Sequence, residues 1–207
     1  MLKKSLFALV LALAALLIWL ALFWEPESNQ TQPLSAQSLA AAPTGGDFTL
    51  QTSQGAVSLK DYRGKVVLVY FGYTYCPDIC PTALAFTAQG LKRLTEEELA
   101  NTQVLFISVD PERDTLEKLK DYGPFFHPKI LGMTGTPAQI EEIAKRYGAS
   151  YRKQETNSAG GYVVDHSSNL YVVAPDGKFV NTLAHGTMAE DIAAAIRTAM
   201  KTQPSHN

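Results

Sequence analysis

Two almost wholly apolar runs, VVLVYF at residues 66–71 and VLFISV at 104–109, constrain this chain more than any other feature. A strand with one wet face alternates apolar and polar side chains, so a strand without that alternation is covered on both faces. Between the runs, Leu84, Ala88, Leu91 and Leu94 recur at helical spacing. Downstream, Leu116 and Leu119 predict another helix, residues 129–133 a short strand, and Ile140, Ile143, Ala144 and Tyr147 a third helix. Residues 170–174 and 178–183 flank Pro175-Asp176-Gly177, a hairpin signal, and a last helix carries Ile192, Ala195, Ile196 and Ala199. Two βα units followed by a hairpin and a helix predict an α/β fold, a mixed central sheet with helices on both faces. No internal repeat is present. Residues 47–203 are enough for one core, and 204–207 read as a tail.

The N-terminus obeys different rules. Residues 5–24 run for twenty positions without a charge, about 30 Å as a helix, which is one hydrocarbon core. Lys3 and Lys4 precede the run and Glu25 and Glu27 follow it, so the positive end is expected in the cytoplasm and the remainder outside. Trp24 stands where an interfacial aromatic would anchor. A cleaved signal peptide is the rival, but its apolar region is shorter, about 7 to 15 residues, and ends at small residues, whereas this run ends in Trp-Glu-Pro. Residues 1–24 therefore read as an uncleaved single-pass anchor. With no Arg-rich transit peptide, the expected place is a bacterial inner membrane with the C-terminal domain in the periplasm. Residues 25–46, with three prolines and many Gln and Ser, read as a tether of roughly 25 Å root-mean-square span. A net charge of −2 with no basic patch gives no case for nucleic acid.

The only two cysteines stand in Tyr75-Cys76-Pro77-Asp78-Ile79-Cys80-Pro81, just past the first buried strand, where open α/β sheets place their sites. Pro81 suits the first position of the next helix, which puts Cys80 at the helix entrance. There the helix dipole is expected to lower its pKa. Thiolate serves both metal binding and disulfide exchange, so this alone does not choose between them. Spacing helps. Three residues intervene where the redox motif has two, and in a helical loop the β-carbons would lie about 5 to 6 Å apart, against about 3.5 to 4.5 Å in a relaxed disulfide. Two sulfurs sharing a metal tolerate up to about 4.6 Å. Inert buried thiols and a permanent structural disulfide are the plainer alternatives.

Four histidines compete to be a third ligand. His206 lies in the tail, His127 ends a helix where packing or capping explains it, and His185 precedes Gly186 and a helix start. His166 stands in Val164-Asp165-His166-Ser167-Ser168, just before a strand. In thioredoxin-like topology that junction faces the cysteine loop, and oxidoreductases usually carry a cis-proline there. This chain has no proline between 138 and 174 and places a histidine instead. A lone histidine is commonly just a satisfied polar residue; the topology favours a ligand.

Three blocks carry a resemblance. They are the segment from Val69 through Tyr70-Phe71-Gly72-Tyr73-Thr74-Tyr75 to Pro81, then Ser108-Val109-Asp110-Pro111-Glu112-Arg113-Asp114-Thr115, then Val164 to Ser168. Together they resemble the SCO/SenC family of copper chaperones for cytochrome c oxidase. The resemblance implies a thioredoxin-like domain holding one copper, Cu(I) or Cu(II), through Cys76, Cys80 and His166. It also implies a role in building the CuA site. The implied partner is the CuA-bearing oxidase subunit, with another periplasmic copper chaperone or a thiol-disulfide reductase as further candidates. Two thiolates and an imidazole are a soft, low-coordinate set that suits Cu(I). Asp78 and Asp165 are candidates for tuning the site, Asp78 equally for a turn; Asp110 reads as a strand-end turn residue and Asp114 as a helix N-cap. A reductase that keeps the CuA-site cysteines reduced is the alternative function, using the same redox-capable Cys76 and Cys80. A thiol peroxidase fits less well, because Val69 and Tyr73 occupy its Pro and Thr positions.

Overall fold

The computed structural model describes residues 43–155 and 161–202, together with Leu13, Leu16, Leu17 and Trp19. Those four residues are helical and exposed; the rest of the anchor read at residues 5–24 lies outside the described residues, as does His206. Among the described residues no helix is long and apolar enough to cross a membrane.

The apolar run at 66–71 forms β3 (Val66–Gly72), which is buried along its whole length. It follows a small antiparallel hairpin, β1 (Thr49–Thr52) and β2 (Gly55–Ser58). Helices α1 (Ile79–Leu91) and α2 (Glu96–Ala100) lead to β4 (Thr102–Ser108), then come α3 (Leu116–Phe126), β5 (Ile130–Met133) and α4 (Pro137–Tyr147). A second hairpin, β6 (Tyr151–Glu155) and β7 (Tyr162–His166), precedes β8 (Leu170–Val173), β9 (Phe179–Leu183) and α5 (Ala189–Met200). The central sheet has order β5-β4-β3-β8-β9. β3 pairs parallel with β4 and antiparallel with β8, so the sheet is mixed, as predicted.

Alternation along β3 decides what covers each face. Tyr70 stacks on Phe106 of β4, which meets Tyr122 of α3, while Cys80 of α1 lies against Gly72. Phe71 instead meets Tyr147 of α4 and Tyr171 of β8 on the opposite face. Helices therefore cover both faces. Local signals set the helix ends. A Thr136–Gln139 capping box and Pro137 start α4, and Gly148, left-handed at φ 69°, stops it. Thr95 and Glu98 form another capping box and start α2, which the apolar spacing does not reveal because no α2 residue is buried.

Three expectations change here. Residues 44–46, at the end of the stretch read as a tether, bond to the end of α4: the Thr44 and Gly45 amides donate to the Arg146 carbonyl at 2.9 and 3.0 Å, and Tyr147 donates to the Gly46 carbonyl at 3.2 Å. Asp114 is no N-cap. Thr115 caps α3, and Asp114 is wholly buried. Finally, α1 begins at Ile79, which makes Pro81 the third residue of its first turn, still within the stretch that tolerates proline.

Candidate metal centre

The cysteine loop leaves β3 and is tied down from below. The Asp114 carboxylate accepts from the Thr74 amide (2.8 Å), the Thr74 hydroxyl (2.5 Å) and the Ser108 hydroxyl (2.6 Å). A buried carboxylate with three donors is a rigid staple between β4 and the loop. The Cys76 amide then closes a turn onto the Tyr73 carbonyl at 3.2 Å. Cys80 enters in the first turn of α1, and its amide points at Cys76 Sγ at 3.5 Å. Gly72 makes room: a Cβ there would stand 2.8 Å from Cys80 Sγ.

His166 arrives from β7, 86 residues along the chain. Its Nδ1 lies 3.1 Å from the Ser167 carbonyl, which can only accept, so Nδ1 carries the proton and Nε2 offers its lone pair. Nε2 sits 3.1 Å from Cys80 Sγ. Tyr73 and Tyr70 hold the imidazole edge to face, at centroid distances of 5.7 and 6.2 Å. The three ligand atoms lie within 4.8 Å of one another, close to the roughly 4.6 Å that two metal–sulfur bonds span. Cys80 is fully buried, Cys76 is 8% exposed and His166 is half-buried, so of the two thiols Cys76 is the nearer to solvent. Beside His166 a cleft of about 440 Å³ opens between Ser150, Tyr151, Arg152, Asp165 and Ser167.

The thiols divide the protons between them, and not as the helix dipole predicts. Cys76 is lowered to about 3, first by a hydrogen bond from the Cys80 thiol, with help from the Cys80 and Asp78 amides. Cys80 is raised above the usual thiol range, chiefly by burial, then by its hydrogen bond to Cys76 and the Cys76 charge. Burial outweighs the dipole at the deeper sulfur. Cys76 is the thiolate of the pair.

The carboxylates read as candidates stay outside the cluster. Asp78 is exposed and its Oδ1 accepts from the Thr82 hydroxyl at 3.3 Å; only its backbone addresses Cys76. Asp165 points to the other side of β7 from His166 and accepts from Gln154 at 2.9 Å. His127 caps α3, its Nδ1 accepting from the Lys129 amide at 3.1 Å, and His185 is exposed in the turn before α5.

Sequence reasoning missed the clamp that joins loop to hairpin. Arg113 lies over the rings of Tyr162 (3.6 Å), Tyr75 (5.0 Å) and Tyr73 (5.7 Å), pairs with buried Asp110 at 2.5 Å and donates to the Tyr162 carbonyl at 2.9 Å. Tyr162 donates to Asp110 at 2.7 Å, and Tyr73 accepts from the Val164 amide at 3.2 Å. The available signal was the block from Ser108 to Thr115, rich in charge at the mouth of a buried strand.

Comparison with known proteins places this geometry. The SCO1/SenC family model matches residues 36–201. The chain belongs to the SCO1/SenC family. It is 40% identical over 184 residues to the mitochondrial SCO2 homolog of Bos taurus, covering 88% of this chain and 69% of that protein. Copper-bound ScoI of Arabidopsis thaliana superposes with a TM-score of 0.71 at 34% identity, over 77% of this chain and 99% of that one. BsSco, described by its disulfide switch as a member of the Sco family of cytochrome c oxidase assembly proteins, gives 0.61 at 28% identity over 79% and 96%. The SCO1/SenC chain shares with these neighbours the thioredoxin-like arrangement of mixed sheet and flanking helices.

Proposed function

We propose that this chain is a membrane-anchored copper chaperone that carries one copper on Cys76, Cys80 and His166 and helps to assemble the CuA centre of cytochrome c oxidase. The observation that carries this reading is the convergence of two thiols and a bare imidazole nitrogen, from segments 86 residues apart, within 4.8 Å. Soft sulfur donors with one nitrogen suit Cu(I), and a weak fourth ligand would admit Cu(II). Three protein donors leave one side open, which transfer to an acceptor requires.

Copper is the cargo, and the residues have separate tasks. Cys76, already a thiolate and at the solvent edge, makes the first contact with the incoming ion. Cys80 then exchanges its proton for the metal, and the proton leaves to solvent. His166 completes the set through Nε2, because Ser167 already holds its Nδ1. The anchor at residues 1–24 and the tether after it would keep the domain beside a membrane-bound oxidase, in a bacterial inner membrane with the domain in the periplasm.

A second reading rests on the thiol asymmetry. A low-pKa outer thiolate beside a buried thiol is the arrangement of a dithiol reductase. Cys76 would attack a partner disulfide, Cys80 would lose its proton and release the partner, and two electrons would pass to it as Cys76 and Cys80 join. One experiment separates the readings. His166→Ala is expected to form and reduce the Cys76–Cys80 disulfide normally, yet to lose most copper affinity and fail to support CuA assembly, whereas Cys76→Ala and Cys80→Ala lose both. Full complementation of a deletion strain by His166→Ala at ordinary copper levels would make thiol reduction the essential task.

A further inference from the structure

Tyr70 has a hydroxyl that the fold alone does not explain. The residue is fully buried in the middle of β3, and its oxygen makes no hydrogen bond of ordinary geometry. Leaving a buried hydroxyl unpaired costs stability, and a phenylalanine would fill the same space without that cost. Phe71 and Phe106 do so beside it. The direction of the ring is informative. Tyr70 Cε1 and Cys80 Sγ both lie within 3.0 Å of the point where a Gly72 side chain would begin, and the ring meets His166 at 86°. Its phenol thus faces the metal cluster from the protein interior, opposite the solvent-side Cys76.

We propose that Tyr70 is a positioning residue of the copper site, whose O–H donates a hydrogen bond to the Cys80 sulfur when copper is bound. The inference rests on the copper reading above. Without copper, Cys80 Sγ lies 3.1 Å from His166 Nε2 and within 4.8 Å of Cys76 Sγ, and the phenol makes no hydrogen bond of ordinary geometry. With copper, the sulfur is a buried thiolate with vacant lone pairs, and hydrogen bonds to a metal-bound sulfur tune its donor strength. The site would be stabilised from behind while its front stays open for transfer.

Tyr70→Phe in the full-length chain tests this, with Tyr171→Phe as control. Tyr171 also buries a hydroxyl without a hydrogen-bond partner, but its ring packs on Phe71 and Tyr147 on the other sheet face. The metal-free Tyr70→Phe protein should melt at or above the wild-type temperature, since no native hydrogen bond is lost. Its copper affinity, from chelator competition, should fall on the order of tenfold. Its thiolate-to-copper absorption should move to longer wavelength, because a sulfur freed of a hydrogen bond gives up charge more easily. Tyr171→Phe should leave affinity and band where they are. Equal affinity and an unmoved band in Tyr70→Phe overturn the proposal while the copper reading stands, and an equal shift in Tyr171→Phe overturns it too. A wild-type chain that retains no copper overturns both.

Discussion

Cys76 and Cys80 are chemically alike and physically unlike, and the difference lies in a few ångströms of depth. The outer sulfur receives hydrogen bonds from the inner thiol and two amides; the inner one is surrounded by β3, α1 and Tyr70. The sign of the pH effect follows. A thiol held near 3 keeps its charge as pH falls, so alkylation of Cys76 in the reduced, metal-free protein should persist well into acid, while Cys80 should resist even at alkaline pH. Cys80→Ala removes the largest cause of that lowering, and the Cys76 rate should then titrate much closer to an ordinary thiol. Mass mapping of the alkylated residue across a pH series checks both. Preferential labelling of Cys80 in acid would reverse the assignment.

At the scale of elements, His166 is only as well placed as its hairpin. β6 and β7 stand outside the central sheet, half of their residues are exposed and only Val164 is buried, so little apolar burial holds them. The Arg113 clamp supplies what burial does not, through the Tyr162 stack, the Asp110 pair and the Tyr162 carbonyl. Arg113→Gln is expected to weaken copper retention on the order of tenfold, since cation–π and charge-assisted bonds are lost together. Disulfide formation between Cys76 and Cys80 should be unaffected, because the Asp114 staple, not Arg113, holds their loop. Chelator competition and the thiol–disulfide midpoint, measured on one preparation, separate the two effects. A loss of both would show that the clamp supports the loop as well.

The whole molecule joins a domain to a chain segment of different physics. The domain, from Thr44 onward, is built on a sheet buried on both faces, whereas residues 5–24 have the composition of a membrane span. A reporter fused after Asn207 should be active outside the cytoplasm, and the protein should stay in the membrane at full length. Recovery of a mature form beginning near Ala40 would instead mark a released periplasmic protein.

The sequence by itself determined the parts that depend on near neighbours. Buried strands, amphipathic helices, the Pro175-Asp176-Gly177 turn and the Cys76 to Cys80 loop are each legible because period, turn chemistry and spacing act over a few residues. Hairpins β1–β2 and β6–β7 were not legible, since short polar strands carry no burial pattern. His166 could be singled out only by invoking topology. Tertiary structure alone decided the roles that depend on depth and on distant partners: that Cys76 rather than Cys80 is the thiolate, that Asp114 staples the loop instead of capping a helix, that Asp165 faces away, and that Arg113 and Tyr70 address the site. Burial and electrostatics act through space, and a linear spacing does not encode how deeply a sulfur will be buried or which guanidinium will lie across a ring 49 residues away.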